Sequence, residues 1–379
     1  MKIARIEIYG THLPYAGGSY GLSGGRSYTG FDATYARVIT DTGLEGWGET
    51  TPFGATYIAA DATTARAALD TLAPALIGQD PRACDAIYGA MDAVMRGQRH
   101  AKTALDVACW DIAGKAANLP VYTLLGGQQA MAENTPIPVI SSIPTDTPDE
   151  MRRNIGRHRQ AGFIGHSIKI GAAEEDGGPA LDAERISVCL ADRRPGEWFL
   201  ADANGGMRPE QLRRLFALLP DGLDFVVEAP CASWAETMSI RKACPYPMLL
   251  DELIETEADI ISLIKHDVAD GVGLKISKQG GLTPSRKQRD IALAAGLVIS
   301  VQETVGSEIA FAALLHMAAA TPRHSLRCAL DTRAMVSKSV AAFDAPIIQG
   351  GVTPPNLPGL GIKVDIKTMG APLAVYGAS

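Results

Sequence analysis

Between residues 136 and 330 one pattern recurs eight times: a short apolar run followed by a stretch of helical character. The runs cover 136–141, 165–170, 198–203, 225–229, 248–250, 272–276, 297–301 and 326–330. Amphipathic stretches such as 209–219 and 284–295 separate them. Near-continuous apolar runs of this length mark strands buried on both faces. Strand–helix alternation makes such strands parallel neighbours in one sheet. Eight units predict an α/β fold, a closed (β/α)7β-type TIM barrel.

The first 130 residues read differently. Residues 2–9 alternate apolar and polar like a half-buried strand, and 33–50 read as two strands about the turn Asp41-Thr42-Gly43. Helices are predicted over 60–77, 82–95 and 100–117, the last with an apolar stripe at Ala104, Leu105, Ala108, Ile112 and Ala116. The expected organisation is an α+β capping domain over 1–130, the barrel over 131–350 and a segment, 351–379, that completes the capping domain. Within that segment 359–369 reads as a strand returning to the N-terminal unit.

Charge and cysteine content narrow the partners. A net charge of −7 without clustered Lys and Arg argues against nucleic acid and anionic membrane. The six cysteines show no CxxC pair and read as reduced thiols. The N-terminus reads as a strand with no signal-peptide core, and no apolar run approaches the roughly 18 residues of a membrane span. A soluble, cytoplasmic protein is expected.

Ionisable residues close the apolar runs. Lys169, Asp202, Glu228, Asp251, Lys275, Glu303 and Asp331 fall in or just after the C-terminal ends, 23 to 33 residues apart, which is one strand–helix unit each. In a barrel these ends converge on one face. Three converging carboxylates, Asp202, Glu228 and Asp251, repel one another unless a cation lies among them. Oxygen donors without His or Cys favour Mg2+; a network with the two lysines is the alternative. Lys169 precedes the trio and Lys275 follows it, so the two amines face each other across it. Burial, a divalent cation and a second ammonium all depress a lysine pKa toward the range of a general base. Schiff-base chemistry is the competing use of such a lysine.

At this point the chain resembles the enolase superfamily, in its muconate-lactonizing and mandelate racemase-like branch. ALDVACWDIAGKAANLPVYTLLGG (104–127) resembles the family's capping helix and hinge. SIKIG, DAN, EAP, DE and LKISKQGGLT follow in the family's order, and PGLGIKVD resembles its closing stretch. The resemblance implies Mg2+ on Asp202, Glu228 and Asp251, with Lys169 and Lys275 as opposed acid and base. Asn204, Glu252 and Lys278 adjoin these residues and are expected to support them. Two departures stand out: Ser167 replaces the first lysine of the usual KxK, and Ala229 the glutamine of EQP.

Substrate choice is expected in two glycine-bearing segments, 13–25 and 50–58, folded over the barrel mouth. They resemble those of enzymes in this branch acting on proline derivatives, namely proline-betaine epimerases and a cis-3-hydroxy-L-proline dehydratase. For a small-molecule carboxylate of that class, Glu303 or Asp331 would meet a ring ammonium and Tyr20, Phe53 or Tyr57 its cation–π face. Ser167 or Ser23 would bind a ring hydroxyl. Cycloisomerase, o-succinylbenzoate synthase and dipeptide epimerase chemistry are the alternatives within enzymes. A non-catalytic binding protein stabilised by metal is the alternative outside them. The resemblance also implies a homo-oligomer.

Overall fold

The computed structural model describes residues 1–127 and 136–378. The chain begins with β1 (Ile3–Pro14), β2 (Gly30–Thr40) and β3 (Glu45–Thr50), an antiparallel meander. β1 runs five residues beyond the predicted strand because it pairs with β2 as far as Pro14 opposite Gly30. The turn between β2 and β3 closes with Gly43 at φ +80°, a conformation glycine adopts without steric cost. Three helices follow: α1 (Ala62–Leu76), α2 (Cys84–Val94) and α3 (Arg99–Ala117). Asp61 caps α1, accepting from the amides of Thr63 at 2.8 Å and Thr64 at 2.9 Å.

The predicted stripe on α3 understates its burial. Every residue from His100 to Gly114 is buried, because α3 lies between the sheet and the barrel. Trp110 Nε1 donates to Thr283 Oγ1 at 2.9 Å, and Asp106 Oδ2 accepts from the Thr283 amide at 3.0 Å. Burial pushes the Asp106 carboxyl up to about 7. On the other face the helix backbone rests on two glycines of β3: a Cβ at Gly48 would lie 2.1 Å from the Ala104 carbonyl, and one at Gly46 2.1 Å from that of Ala108. Both neighbours are backbone and cannot swing away. Gly48→Ala is therefore expected to lower stability by about 1–3 kcal/mol, the usual range for overpacking, measured by urea unfolding.

The barrel strands are β4 (Ile137–Ile143), β5 (Gly165–Lys169), β6 (Trp198–Asp202), β7 (Val226–Glu228), β8 (Met248–Leu250), β9 (Gly271–Lys275), β10 (Val298–Gln302) and β11 (Leu326–Leu330). All run parallel, and the ring closes where Ala329 and Leu330 of β11 pair with Val139 and Ile140 of β4. The eight predicted runs each contribute one strand. Register levels the strand ends: Lys169 lies beside Asp202, Asp202 beside Glu228, Glu228 beside Leu249, and Lys275 beside Gln302. Helices between the strands form the outer layer, for example α4 (Pro148–Gln160), which begins with Pro148 after the N-cap Thr147.

The predicted returning strand at 359–369 is corrected. The short strand inside it, Lys363–Val364, pairs instead with Ala341–Ala342. The strand that returns is β12 (Ala374–Gly377), antiparallel to β1 with Ile6 opposite Tyr376. The start of the earlier stretch does reach the N-terminal unit, but outside its sheet: Gly359 bridges Pro120, and the Leu360 amide donates to Asp111 Oδ1 of α3 at 2.8 Å. The boundary expected between residues 130 and 131 lies outside the described residues. No helix among the described residues is long and apolar enough to cross a membrane. All six cysteines are free thiols, five of them buried.

Candidate active site

The strand register brings the predicted ionisable residues to one rim. There a cavity is lined by Lys169, Lys275, Glu228 and Glu303 among other side chains. Lys169 ends β5 and Lys275 ends β9, four strands apart in a ring of eight, so they enter from opposite sides. Lys169 donates to Asp202, and Lys275 Nζ lies 2.5 Å from Asp251 Oδ2. The expected depression of the amines is not found in this arrangement. Burial pulls Lys169 down, but Asp202, with Tyr20 and Glu228, outweighs it and holds the amine above its ordinary range. Lys275 is likewise held up, against burial, by Asp251, Tyr57, Asp202 and Glu228. Lys278 behaves in the opposite way: burial pulls it to about 8, and its Nζ has no hydrogen-bond partner.

Asp202, Glu228 and Asp251 come from the consecutive strands β6, β7 and β8. Burial, then repulsion from Asp202 and Asp251, drives the Glu228 carboxyl well above its ordinary value. Burial also acts to raise Asp251, but Lys275 and Lys278 outweigh it and bring this carboxyl below its ordinary value. Each carboxylate leans on a neighbour: Asp202 on Lys169, Asp251 on Lys275, and Glu228 on Gln302, whose Nε2 donates to Oε1 at 2.7 Å. No group of three acidic, His or Cys side chains stands ready as a metal cluster among the described residues.

The donor set nonetheless fits a hard divalent cation. It is all oxygen, and Asp251 Oδ2 already faces a positive charge, the Lys275 ammonium at 2.5 Å. Gly273 on β9 keeps the space open: a Cβ there would lie 2.6 Å from Asp251 Cβ and 3.4 Å from Glu228 Oε1. Asn204 braces the group, its Nδ2 donating to Asp202 Oδ2 at 2.8 Å and Glu252 Oε1 at 3.0 Å.

The two N-terminal segments cover this rim as expected. Tyr20 and Phe53 pack edge to face with ring centroids 5.4 Å apart, and Phe53 and Tyr57 at 5.4 Å. All three line the cavity, as does Ser167. Ser23 does not: its hydroxyl accepts from Arg26 Nη2 at 2.6 Å, and its Cβ packs near Gly171 and Gly206. Asp331 is also withdrawn, its two oxygens taken by Arg333 at 2.7 and 3.0 Å while it caps the turn 332–335. Glu303 lines the cavity but is engaged from behind, accepting from the Ser277 amide at 2.7 Å and hydroxyl at 2.5 Å. Burial pushes it up to about 7.

Several lining residues carried no charge signal in the sequence. Gln302 precedes Glu303 in VQET, and strand alternation turns it inward beside Ser300, to whose hydroxyl it donates at 3.0 Å. Ser142, Thr304, Leu22 and Met335 also line the cavity. Ser142 is at hydrogen-bond distance, 2.5 Å, from the Tyr20 hydroxyl.

Comparison with known proteins places this geometry in a family. Residues 31–126 match the mandelate racemase/muconate lactonizing enzyme N-terminal domain, and residues 150–368 the enolase C-terminal domain-like model. The cis-3-hydroxy-L-proline dehydratase of Roseibium aggregatum is 34% identical over 376 residues, covering 99% of this chain and 100% of that one. The N-succinyl-L-Arg/Lys racemase of Bacillus cereus is 29% identical, covering 97% of each. Among solved structures, a mandelate racemase/muconate lactonizing enzyme family protein of Roseovarius nubinhibens, crystallised with magnesium, is 59% identical, with a TM-score of 0.97 and full coverage of both chains. With both halves of the chain matched and the lysines and carboxylates on one barrel rim, this protein is an enzyme of the enolase superfamily, in the mandelate racemase/muconate lactonizing enzyme family.

Proposed function

We propose that this enzyme removes the proton α to the carboxylate of a proline derivative in a Mg2+-dependent reaction, leading to epimerisation or dehydration. The observation that carries this reading is the opposed pair of amines, Lys169 and Lys275, lining one cavity with the carboxylates of β6, β7 and β8 between them. Asp202, Glu228 and Asp251 would hold the metal, which supplies positive charge against the negative charge developing on the substrate carboxylate. Asn204, whose Nδ2 also donates to Glu252 Oε1, keeps Asp202 oriented.

Proton transfer falls to the lysines. One amine, in its neutral form, takes the α-proton; the C–H bond breaks, an N–H bond forms, and the electron pair moves into the carboxylate to give an enediolate. Carboxylates committed to a bound cation would no longer hold that amine protonated. If the opposite ammonium returns a proton to the other face of the carbon, the centre is inverted. If the substrate bears a β-hydroxyl, that ammonium instead protonates it, the C–O bond breaks and water departs.

A proline derivative suits the enclosure. Tyr20, Phe53 and Leu22 give the cavity apolar walls. With Asp331 engaged by Arg333, Glu303 is the carboxylate that remains to meet a ring ammonium, beside aromatic faces suited to cation–π contact. The 34% identity to a cis-3-hydroxy-L-proline dehydratase supports the same class.

The test is proton NMR in D2O with Mg2+ and L-proline, proline betaine, trans-4-hydroxy-L-proline betaine and cis-3-hydroxy-L-proline. Loss of the α-hydrogen signal from at least one compound is expected, and the product separates inversion from loss of water. Retention of that signal in all four would overturn the substrate class.

A further inference from the structure

We infer that Tyr57 is a positioning residue that ties the loop over the site to one lysine only, Lys275; this rests on the reading that Lys275 exchanges a proton with the substrate carbon. Tyr57 lies on the segment between β3 and α1. That segment is moored to the barrel by Thr304 Oγ1, which donates to the Thr51 carbonyl at 2.7 Å. It is moored to the other covering segment by Arg26 Nη1, which donates to the Thr56 carbonyl at 2.8 Å, and by the Tyr28 hydroxyl, 2.5 Å from Thr56 Oγ1. These contacts hold the backbone next to Tyr57, and its ring reaches over the rim.

The direction of the hydrogen bonds sets the role. The Tyr57 hydroxyl donates to Glu252 Oε1 at 2.7 Å, so its lone pairs are left to accept from Lys275 Nζ, as they do. The same nitrogen lies 2.5 Å from Asp251 Oδ2 and 4.9 Å from the centre of the Tyr57 ring. Lys275 is thus gripped by the barrel from one side and by the loop from the other. Lys169 is held differently. It pairs with Asp202, while Tyr20, the aromatic residue on its side of the cavity, directs its hydroxyl to Ser142 of β4.

A lysine amine sits on a chain with four rotatable bonds, and a proton-transfer group must stay within hydrogen-bond reach of the reacting carbon. Two contacts on the nitrogen remove most of that freedom, and they leave its remaining position for the cavity it lines. Without the hydroxyl, Lys275 keeps its contact with the ring and its attraction to Asp251 Oδ2 at 2.5 Å and Glu252 Oε1 at 3.9 Å, and is drawn toward these carboxylates. The effect is confined to one face of the substrate carbon, because Lys169 makes no use of Tyr57.

Tyr57→Phe tests this in the full-length enzyme with Mg2+. Two readouts are used: deuterium uptake from D2O into each stereoisomer of the substrate, and the 15N shifts of the lysine Nζ groups. Lys275→Ala and Lys169→Ala identify which stereoisomer and which resonance belong to each lysine. The expected result is a loss of about tenfold or more in kcat at the face served by Lys275, with KM within about threefold and the other face within about threefold. The Lys275 resonance shifts and the Lys169 resonance does not. Tyr28→Phe, which loosens Thr56 without touching Lys275, is expected to give the same one-sided loss at smaller size. Equal slowing of both faces in both variants, or unmoved kinetics with an unmoved Lys275 resonance, would overturn the inference. If the wild-type enzyme exchanges no compound, the parent reading falls, and the Nζ shifts in Tyr57→Phe alone decide the role of Tyr57.

Discussion

Replacing either lysine is expected to lower α-proton exchange at the face it serves by about 10²–10⁴-fold, the range that one positioned acid–base group contributes. The reason is the two-sided geometry: Lys169 and Lys275 enter the cavity from opposite walls, so neither can serve the other's face of the substrate carbon. For an epimerisation, Lys169→Ala and Lys275→Ala each abolish inversion. Each variant should retain deuterium exchange in the one stereoisomer whose α-proton faces the surviving amine. Quenched-flow or NMR rates on the two stereoisomers separate these outcomes. Near wild-type inversion in either variant would remove that lysine from the mechanism. Both substitutions also leave a buried carboxylate, Asp202 or Asp251, without its paired cation, so the melting temperature is measured alongside.

Glu228→Gln is expected to reverse its effect on stability according to whether Mg2+ is present. In chelator, the wild-type protein buries Glu228 beside Asp202 and Asp251, and like charges in one site are unfavourable. Burial and that repulsion raise the folded-state pKa above the unfolded value of 4.5. Ionising Glu228 therefore costs stability as pH rises above the unfolded value, and the neutral amide avoids this cost. At pH 7.5 in chelator the variant should melt at or above the wild type. With Mg2+ at about 100 times its Kd the wild type gains about 2.7 kcal/mol by mass action, and the variant, having lost a charged ligand, gains far less. Thermal melts with and without Mg2+ check this. Equal Mg2+ stabilisation of the two proteins would show that Glu228 is not a ligand.

The barrel and its catalytic rim were legible because they depend on short-range pattern. A strand buried on both faces must be apolar throughout, so a charged residue at its C-terminal end is conspicuous. Asp202 after FLA and Lys275 after VGL show this, and both end their strands as predicted. The one-unit spacing then carries all seven residues to the same end of the barrel. Only the tertiary structure decided which partner each side chain takes. Glu303 takes the amide and hydroxyl of Ser277, 26 residues away in the chain, and Glu228 accepts from Gln302, 74 residues away. The contact between Tyr57 and Lys275 spans 218 residues of chain. Burial of α3 on every face, and the return of the chain at Ala374–Gly377, likewise depend on elements far apart in sequence. The reason is the range of the forces. Strand character and strand-end charge follow from neighbours along the chain, whereas hydrogen-bond partners, ion pairs and shifted pKa values follow from neighbours in space, which exist only once the barrel has closed.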